Sequence, residues 1–211
     1  MLQMIDEAGW PIWFLIITSV LGLALIIERF LSLRRGRVLP SGLFDRVVEV
    51  ARRGGGSKET LQRLAGSSPL GRVLAEVVAV RGESSDYRTA AIEEAGRDVA
   101  HELDRYIPAL STIAVVAPLL GLFGTVVGMI EIFSSFTPGG GDPAQLARGI
   151  SVALYNTGFG ILIAIPALIF HRYFRSRVEF YLHQMERQAG ILNRVLADEN
   201  ERTRPFEVAA P

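Results

Sequence analysis

The sequence predicts an all-α membrane protein with three transmembrane helices, the second and third extended into a cytoplasmic helical bundle. Three observations predict it. Trp10 to Ile27, Tyr106 to Ile130 and Ile150 to Phe170 contain no Asp, Glu, Lys or Arg. At ~1.5 Å rise per residue, each is long enough to cross a ~30 Å hydrocarbon layer as a helix. The apolar residues of the 211-residue chain are blocked into these stretches and are not spread with amphipathic spacing. Finally, the cations cluster beside the stretches in a sided way.

That sidedness sets the topology. Arg29, Arg34, Arg35 and Arg37 follow the first span, and Arg172, Arg175 and Arg177 follow the third. The segment between spans two and three carries only Arg148, and the leader carries Asp6 and Glu7 with no cation. Lys and Arg accumulate on the cytoplasmic side, so the N-terminus is expected outside and the C-terminus inside the bacterial inner membrane. This leaves 21 of the 22 Lys and Arg residues in the cytoplasm.

The elements follow in order. Residues 1–33 are the outside N-terminus and first transmembrane helix. A cleaved signal peptide needs a cationic start, whereas this chain starts acidic and its span ends in Glu28-Arg29-Phe30-Leu31. Residues 34–105 form a cytoplasmic helical segment. Within it, Gly42 to Arg53 reads as an amphipathic helix ended by Gly54-Gly55-Gly56, and Ser57 to Leu64 as a second helix stopped by Gly66-Ser67-Ser68-Pro69. Pro69 starts a third helix running to about Arg81, because proline suits a first turn. Ser84, Ser85 or Asp86 caps a fourth helix. Its stripe passes through Ala90, Ala91, Glu94, Val99, Leu103 and Ile107, and the helix is expected to continue into span two as one helix from Asp86 to Phe136.

The second transmembrane helix is 106–136, the outside loop 137–149 and the third transmembrane helix 150–171. A cytoplasmic helix, 172–200, carries Val178, Tyr181, Leu182, Met185, Ile191, Leu192 and Val195 on an apolar stripe. Residues 201–211, around Thr203-Arg204-Pro205, read as a disordered tail.

Composition excludes several function classes. Net charge is zero, which gives no field for nucleic acid, and cysteine is absent, which excludes disulfides, thiolate nucleophiles and Cys metal sites. His101, His171 and His183 lack metal-ligand spacing. No catalytic residue, metal ligand or cofactor site is therefore assigned, and an intramembrane enzyme would need an acid, nucleophile or metal ligand that the spans do not supply.

The candidate functional residues lie in spans two and three. Gly121, Gly124, Thr125 and Gly128 recur at spacings of three and four, so they share one helix face, and Gly124 and Gly128 form a small-xxx-small pair. Ala153, Thr157, Gly160 and Ala164 repeat the device. These stripes read either as packing seams or as the lining of a polar ring. Counted from the outer ends of their spans, Thr125 and Thr157 fall at nearly the same depth, ~10–12 Å below the boundary. A lone membrane Thr usually bonds a carbonyl one turn back; two at matched depth suggest a pore lining. Glu131 lies near the outer boundary, in an ion-entry or a headgroup role. Pro118 and Pro166 interrupt backbone bonding and either kink the helices into a ring or are routine membrane prolines. Asn156, beside Thr157, reads as an interhelical hydrogen-bonding group.

Gly121-Leu-Phe-Gly124-Thr125-Val-Val-Gly128-Met-Ile-Glu131-Ile-Phe133 resembles the signature helix of the TolQ/ExbB/MotA proton-channel family. The stretch from Ile150 through Asn156-Thr157-Gly-Phe-Gly160 to Pro166-Ala167 is similar to its last membrane helix, and Gly9-Trp10-Pro11 with Ile27-Glu28-Arg29 resembles the opening of ExbB-type members. Three spans fit the ExbB/TolQ-like branch. The resemblance implies a homo-oligomeric ring, generally a pentamer, around single-span ExbD/TolR-like partners whose intramembrane Asp carries the proton. It implies a further TonB/TolA-like protein, contact with membrane lipid, and ion path residues at Thr125 and Thr157. Val152 stands where many ExbB-type members have Glu. That either moves the proton task to the partner Asp, with Glu131 assisting, or marks a different coupling ion. A competing reading is a passive membrane scaffold recruiting cytoplasmic proteins.

Overall fold

The computed structural model describes residues 9–52, 57–134 and 143–203, and among them the chain is helical throughout with no strand. It divides into two compact units, one of Met1–Phe30 and Tyr106–Phe174, the other of Leu31–Arg105 and Arg175–Pro211. Eight helices are described: α1 (Ile12–Ser32), α2 (Arg35–Val38), α3 (Leu43–Arg52), α4 (Lys58–Ser67), α5 (Pro69–Ala79), α6 (Ser85–Asp104), α7 (Ile107–Ser134) and α8 (Pro143–Thr203). Three helical stretches are long and apolar enough to cross a membrane, within Ile12–Ser32, Ser85–Ser134 and Gly149–Asp198.

In the first unit, α1, α7 and α8 pack through stripes of small and apolar residues. On α1 the buried face is Ile12, Leu15, Gly22, Ile26 and Arg29; on α7 it is Ile107, Leu110, Ala117, Gly121 and Gly124. The opposite faces are apolar and bare. Leu154 and Leu162 are each 64% exposed and Val115 is 63% exposed, values suited to hydrocarbon and not to water. Aromatic rings mark both ends of α1. Trp10 sits edge-on to Phe14 and Phe123, while Phe30 sits edge-on to Phe170 and Phe174.

The expected continuous helix from Asp86 to Phe136 is not formed. α6 ends at Asp104 and α7 begins at Ile107. Pro108 is the reason: its ring cannot coexist with a helical carbonyl at position 104, whereas as the second residue of α7 it fits a first turn. The chain turns through Tyr106, which has a φ of 68°, a conformation costly for a bulky side chain. Arg29, only 3% exposed, offsets that strain by placing its guanidinium 5.3 Å from the Tyr106 ring centroid. Glu28 fixes the guanidinium by accepting from its Nη2 at 2.7 Å. Two residues that read from sequence as an ordinary helix end therefore secure a break.

Other boundaries also shift. α4 runs through Gly66 to Ser67, three residues past the predicted stop, because the serine hydroxyl donates to the Leu64 carbonyl at 2.7 Å. The predicted outside loop is helical from Pro143, a natural first-turn residue; its residues 137–142 lie outside the described residues. α8 continues to Thr203, past the predicted start of the tail, and residues 204–211 lie outside the described residues, as do Arg53 and the three glycines after it.

The second unit is a helical bundle. α5 is its centre, with Leu70, Val73, Leu74, Val77 and Val78 all buried. α8 contributes Val178, Tyr181, Met185, Ala189, Leu192 and Leu196 at helical spacing, and the buried Tyr181 hydroxyl donates to the Leu33 carbonyl at 2.8 Å. Leu182, Ile191 and Val195 flank that stripe, half-buried, while on α6 Val99 and Leu103 are buried and Ala90 and Glu94 are exposed. Ion pairs such as Arg72–Glu102 at 2.6 Å and Arg175–Asp104 at 3.1 Å lie at the surface and contribute little. The caps matter more. Ser68 is buried and accepts from the Gly71 N–H at 3.0 Å at the start of α5. Ser68→Ala is expected to cost about 1 kcal/mol, read as a lower thermal midpoint with the helix content of the folded protein unchanged.

Candidate functional site

The glycine candidates meet Ala153, Asn156 and Thr157 along the antiparallel seam between α7 and the membrane part of α8. A Cβ added to Gly160 would lie 2.5 Å from the Ala117 carbonyl oxygen and 3.2 Å from the Gly121 Cα. One on Gly121 would meet the Asn156 carbonyl oxygen at 2.7 Å and the Thr157 Cα at 3.0 Å. One on Gly124 would lie 2.8 Å from Asn156 Cβ and Cγ. Gly128 faces Ala153 at an ordinary 3.6 Å. Backbone meets backbone through most of this seam, which only glycine permits. The two small-residue stripes are thus brought together within one chain.

The seam sets the two helices against each other: a Cβ on Gly121 would lie 3.0 Å from the Thr157 Cα, and Thr125 lies four residues further along α7. A helical side chain leans toward its own N-terminus, so in this antiparallel pair the two threonine side chains lean toward one another's level. Thr125 is half-buried and its hydroxyl donates to the Leu122 carbonyl at 2.7 Å. Thr157 is half-buried beside it along the seam's edge.

The chain contains no cysteine, so this register is directly testable. Converting Gly128 and Ala153 to cysteine is expected to give a rapid intrachain disulfide under mild oxidation, since their Cβ separation of 3.6 Å is in the bonding range. The bond is read by gel mobility with and without reductant.

Asn156 is the one residue the sequence undervalued here. It is 1% exposed in the middle of a membrane helix and lies against Gly124 and Gly121. Its signal was available: an amide in an apolar span needs a sheltered face, and the only shelter is opposite glycine. Pro118 and Pro166 both lie inside their helices, Pro118 half-buried and Pro166 exposed. Glu131 is exposed near the end of α7, apart from both threonines. No group of three or more His, Cys, Asp or Glu side chains converges among the described residues.

The arrangement is a rigid pair of membrane helices with hydroxyls on its edge. The sequence that builds it is similar to that of known proteins. Residues 65–187, which contain both motif helices, match the family model of the MotA/TolQ/ExbB proton channel family. The chain is 31% identical over 169 residues to biopolymer transport protein ExbB-like 3 of Synechocystis sp., covering 79% of each chain. It is 30% identical over 171 residues to biopolymer transport protein exbB1 of Vibrio cholerae, covering 79% of this chain and 75% of that one. A shorter match, 37% over 82 residues, covers 38% of this chain and 36% of the Tol-Pal system protein TolQ of Pseudomonas aeruginosa. This multi-pass membrane protein belongs to the MotA/TolQ/ExbB proton channel family, in its ExbB-like branch.

Proposed function

We propose that this chain is an ion-motive-force-driven energiser subunit of the bacterial inner membrane, with protons as the coupling ion. It assembles as a homo-oligomeric ring, a pentamer, around the single membrane helices of an ExbD/TolR-like partner. The ring delivers work to envelope transport or related machinery, through a TonB/TolA-like protein. Support comes from the family match across residues 65–187, which includes both threonines and the whole glycine seam.

The chemistry follows from what the spans carry and lack. Their interiors hold no acid or base, so the titrating carboxylate comes from the partner. A charged carboxylate in hydrocarbon is costly, and a hydroxyl that hydrogen-bonds to it lowers that cost. Thr125 and Thr157, on the two facing helices of the seam, supply two hydroxyls to the ion path. Glu131, beyond Thr125, supplies an anionic entry point. The glycine seam holds both in register, and Pro118 and Pro166 shape the helices around the partner.

The reading is tested by particle images of the purified chain in detergent. Five subunits around a central hole large enough for two helices support it; a monomer overturns it. The passive scaffold reading gains nothing from the seam, since recruiting cytoplasmic proteins requires neither the hydroxyls nor the motif helices.

A further inference from the structure

Arg29 is 3% exposed and stands in the last turn of α1, the span that carries none of the candidate ion-path residues. Glu28 accepts from both its Nε and its Nη2, and the guanidinium lies 5.3 Å from the Tyr106 ring centroid. Among the described residues Tyr106 is the only non-glycine with a positive φ, 68°, and it immediately precedes α7. The next residue of α1, Phe30, has its ring centroid 5.4 Å from that of Phe170 and 5.0 Å from that of Phe174, both on α8. Two consecutive residues of α1 therefore reach both helices of the glycine seam, at the ends remote from Gly128.

We propose that Arg29 is a positioning residue for the ion path: it clamps Tyr106 in its strained conformation and so fixes the start of α7, while Phe30 ties α1 to α8. A bulky residue in the left-handed region stays there only where its surroundings hold it. That strain and a desolvated cation–π contact are of the same order, so one such contact offsets it. Were Tyr106 to relax to a negative φ, its Cβ would swing round and the ring would leave the guanidinium. Burial points the same way. An arginine taken almost wholly out of water is costly even when paired, and packed apolar residues would close the end of α1 without that cost. What the arginine adds is geometry, since its planar group stacks on a ring while Glu28 fixes its rotation. The glycine contacts that fix α7 against α8 run from Ala117 to Gly128. Between Ile107 and Ala117 the helix rises ~15 Å, a lever that carries any shift of its first turn to the seam. The effect on transport rests on the energiser reading; the clamp itself does not.

The test reads thermal midpoints in detergent, and proton flux in liposomes containing the chain and its partner. Arg29→Met is made together with Glu28→Gln, so that no carboxylate is left without its guanidinium. The pair is expected to lower the midpoint and to cut flux about tenfold. Adding Tyr106→Gly is expected to restore both to parent values, because glycine takes a positive φ without strain. An arginine that only fills space and pairs with Glu28 gains nothing from that glycine. If the Arg29 variant fails to fold, Tyr106→Ala and Tyr106→Gly, each with Arg29 intact, give the same comparison. Alanine keeps the strain and loses the ring, so its flux is expected to fall about tenfold, with glycine near the parent rate. A parent midpoint in the Arg29 variant, no rescue by Tyr106→Gly, or alanine and glycine behaving alike overturns the clamp. A lowered and rescued midpoint with flux unchanged throughout overturns the positioning of the ion path. If the parent itself conducts no protons with its partner, the energiser reading fails, and the midpoints still decide the clamp.

Discussion

Gly160→Ala is expected to cost about 3 kcal/mol and to remove the protein's resistance to detergent unfolding, although it adds a single methyl group. The added Cβ would lie 2.5 Å from the Ala117 carbonyl oxygen, and neither backbone can yield without parting α7 from α8. Gly121→Ala meets the Asn156 carbonyl at 2.7 Å and is expected to behave alike. Gly124→Ala meets the Asn156 side chain, so it is expected to be partly rescued by Asn156→Ala, whereas the other two have no side-chain rescue. Gly158 and Gly190 are the controls. Nothing lies within 4 Å of a Cβ at either, and alanine there is expected to leave stability unchanged or slightly raised through its helix propensity. Thermal midpoints in detergent separate the two groups. Equal tolerance at Gly160 and Gly158 would mean that the seam does not exist.

The second large effect is on transport. Removing the Thr157 hydroxyl by Thr157→Val keeps shape and volume, so the seam survives. Proton flux through the chain and its partner in liposomes is expected to fall about tenfold or more, because a hydrogen bond to a charged group contributes roughly 1.5–3 kcal/mol. Thr125→Val is expected to lower flux as well, and the double variant to abolish it. Thr→Ser at either position keeps the hydroxyl and is expected to stay near the parent rate. Unchanged flux in both valine variants would remove the threonines from the ion path and leave them as helix-bonded membrane residues. The Thr125 hydroxyl already donates to the Leu122 carbonyl, so its part in the path is as an acceptor, or as a donor after rotation about χ1.

What the sequence disclosed follows its physics. The three spans and the short helices between the first and second of them were legible because solvation writes itself into composition: lipid excludes charge, and caps such as Ser57, Ser68 and Ser84 announce helix starts. The glycine seam was legible as two small-residue stripes, since close approach in lipid has no substitute residue. The break at Tyr106 was not. Pro108 is tolerated at the start of a helix and disruptive inside one, and the sequence alone does not say which side of that line it lies on. The deciding groups, Arg29 and Tyr106, are far apart in the chain and pair only in the fold. The pairing of the stripes was equally hidden: the sequence shows both, and only the fold shows that Gly121 meets Asn156 and Gly128 meets Ala153.

The central claim is that this chain houses an ion route whose titrating acid belongs to another protein. Reconstituting it in liposomes with a pH gradient, alone and together with its single-span partner, addresses that claim most directly. The gradient is expected to persist with the chain alone and to collapse when the partner is present, with the collapse lost again when the partner's intramembrane Asp becomes Asn. Collapse of the gradient by the chain alone would contradict the account.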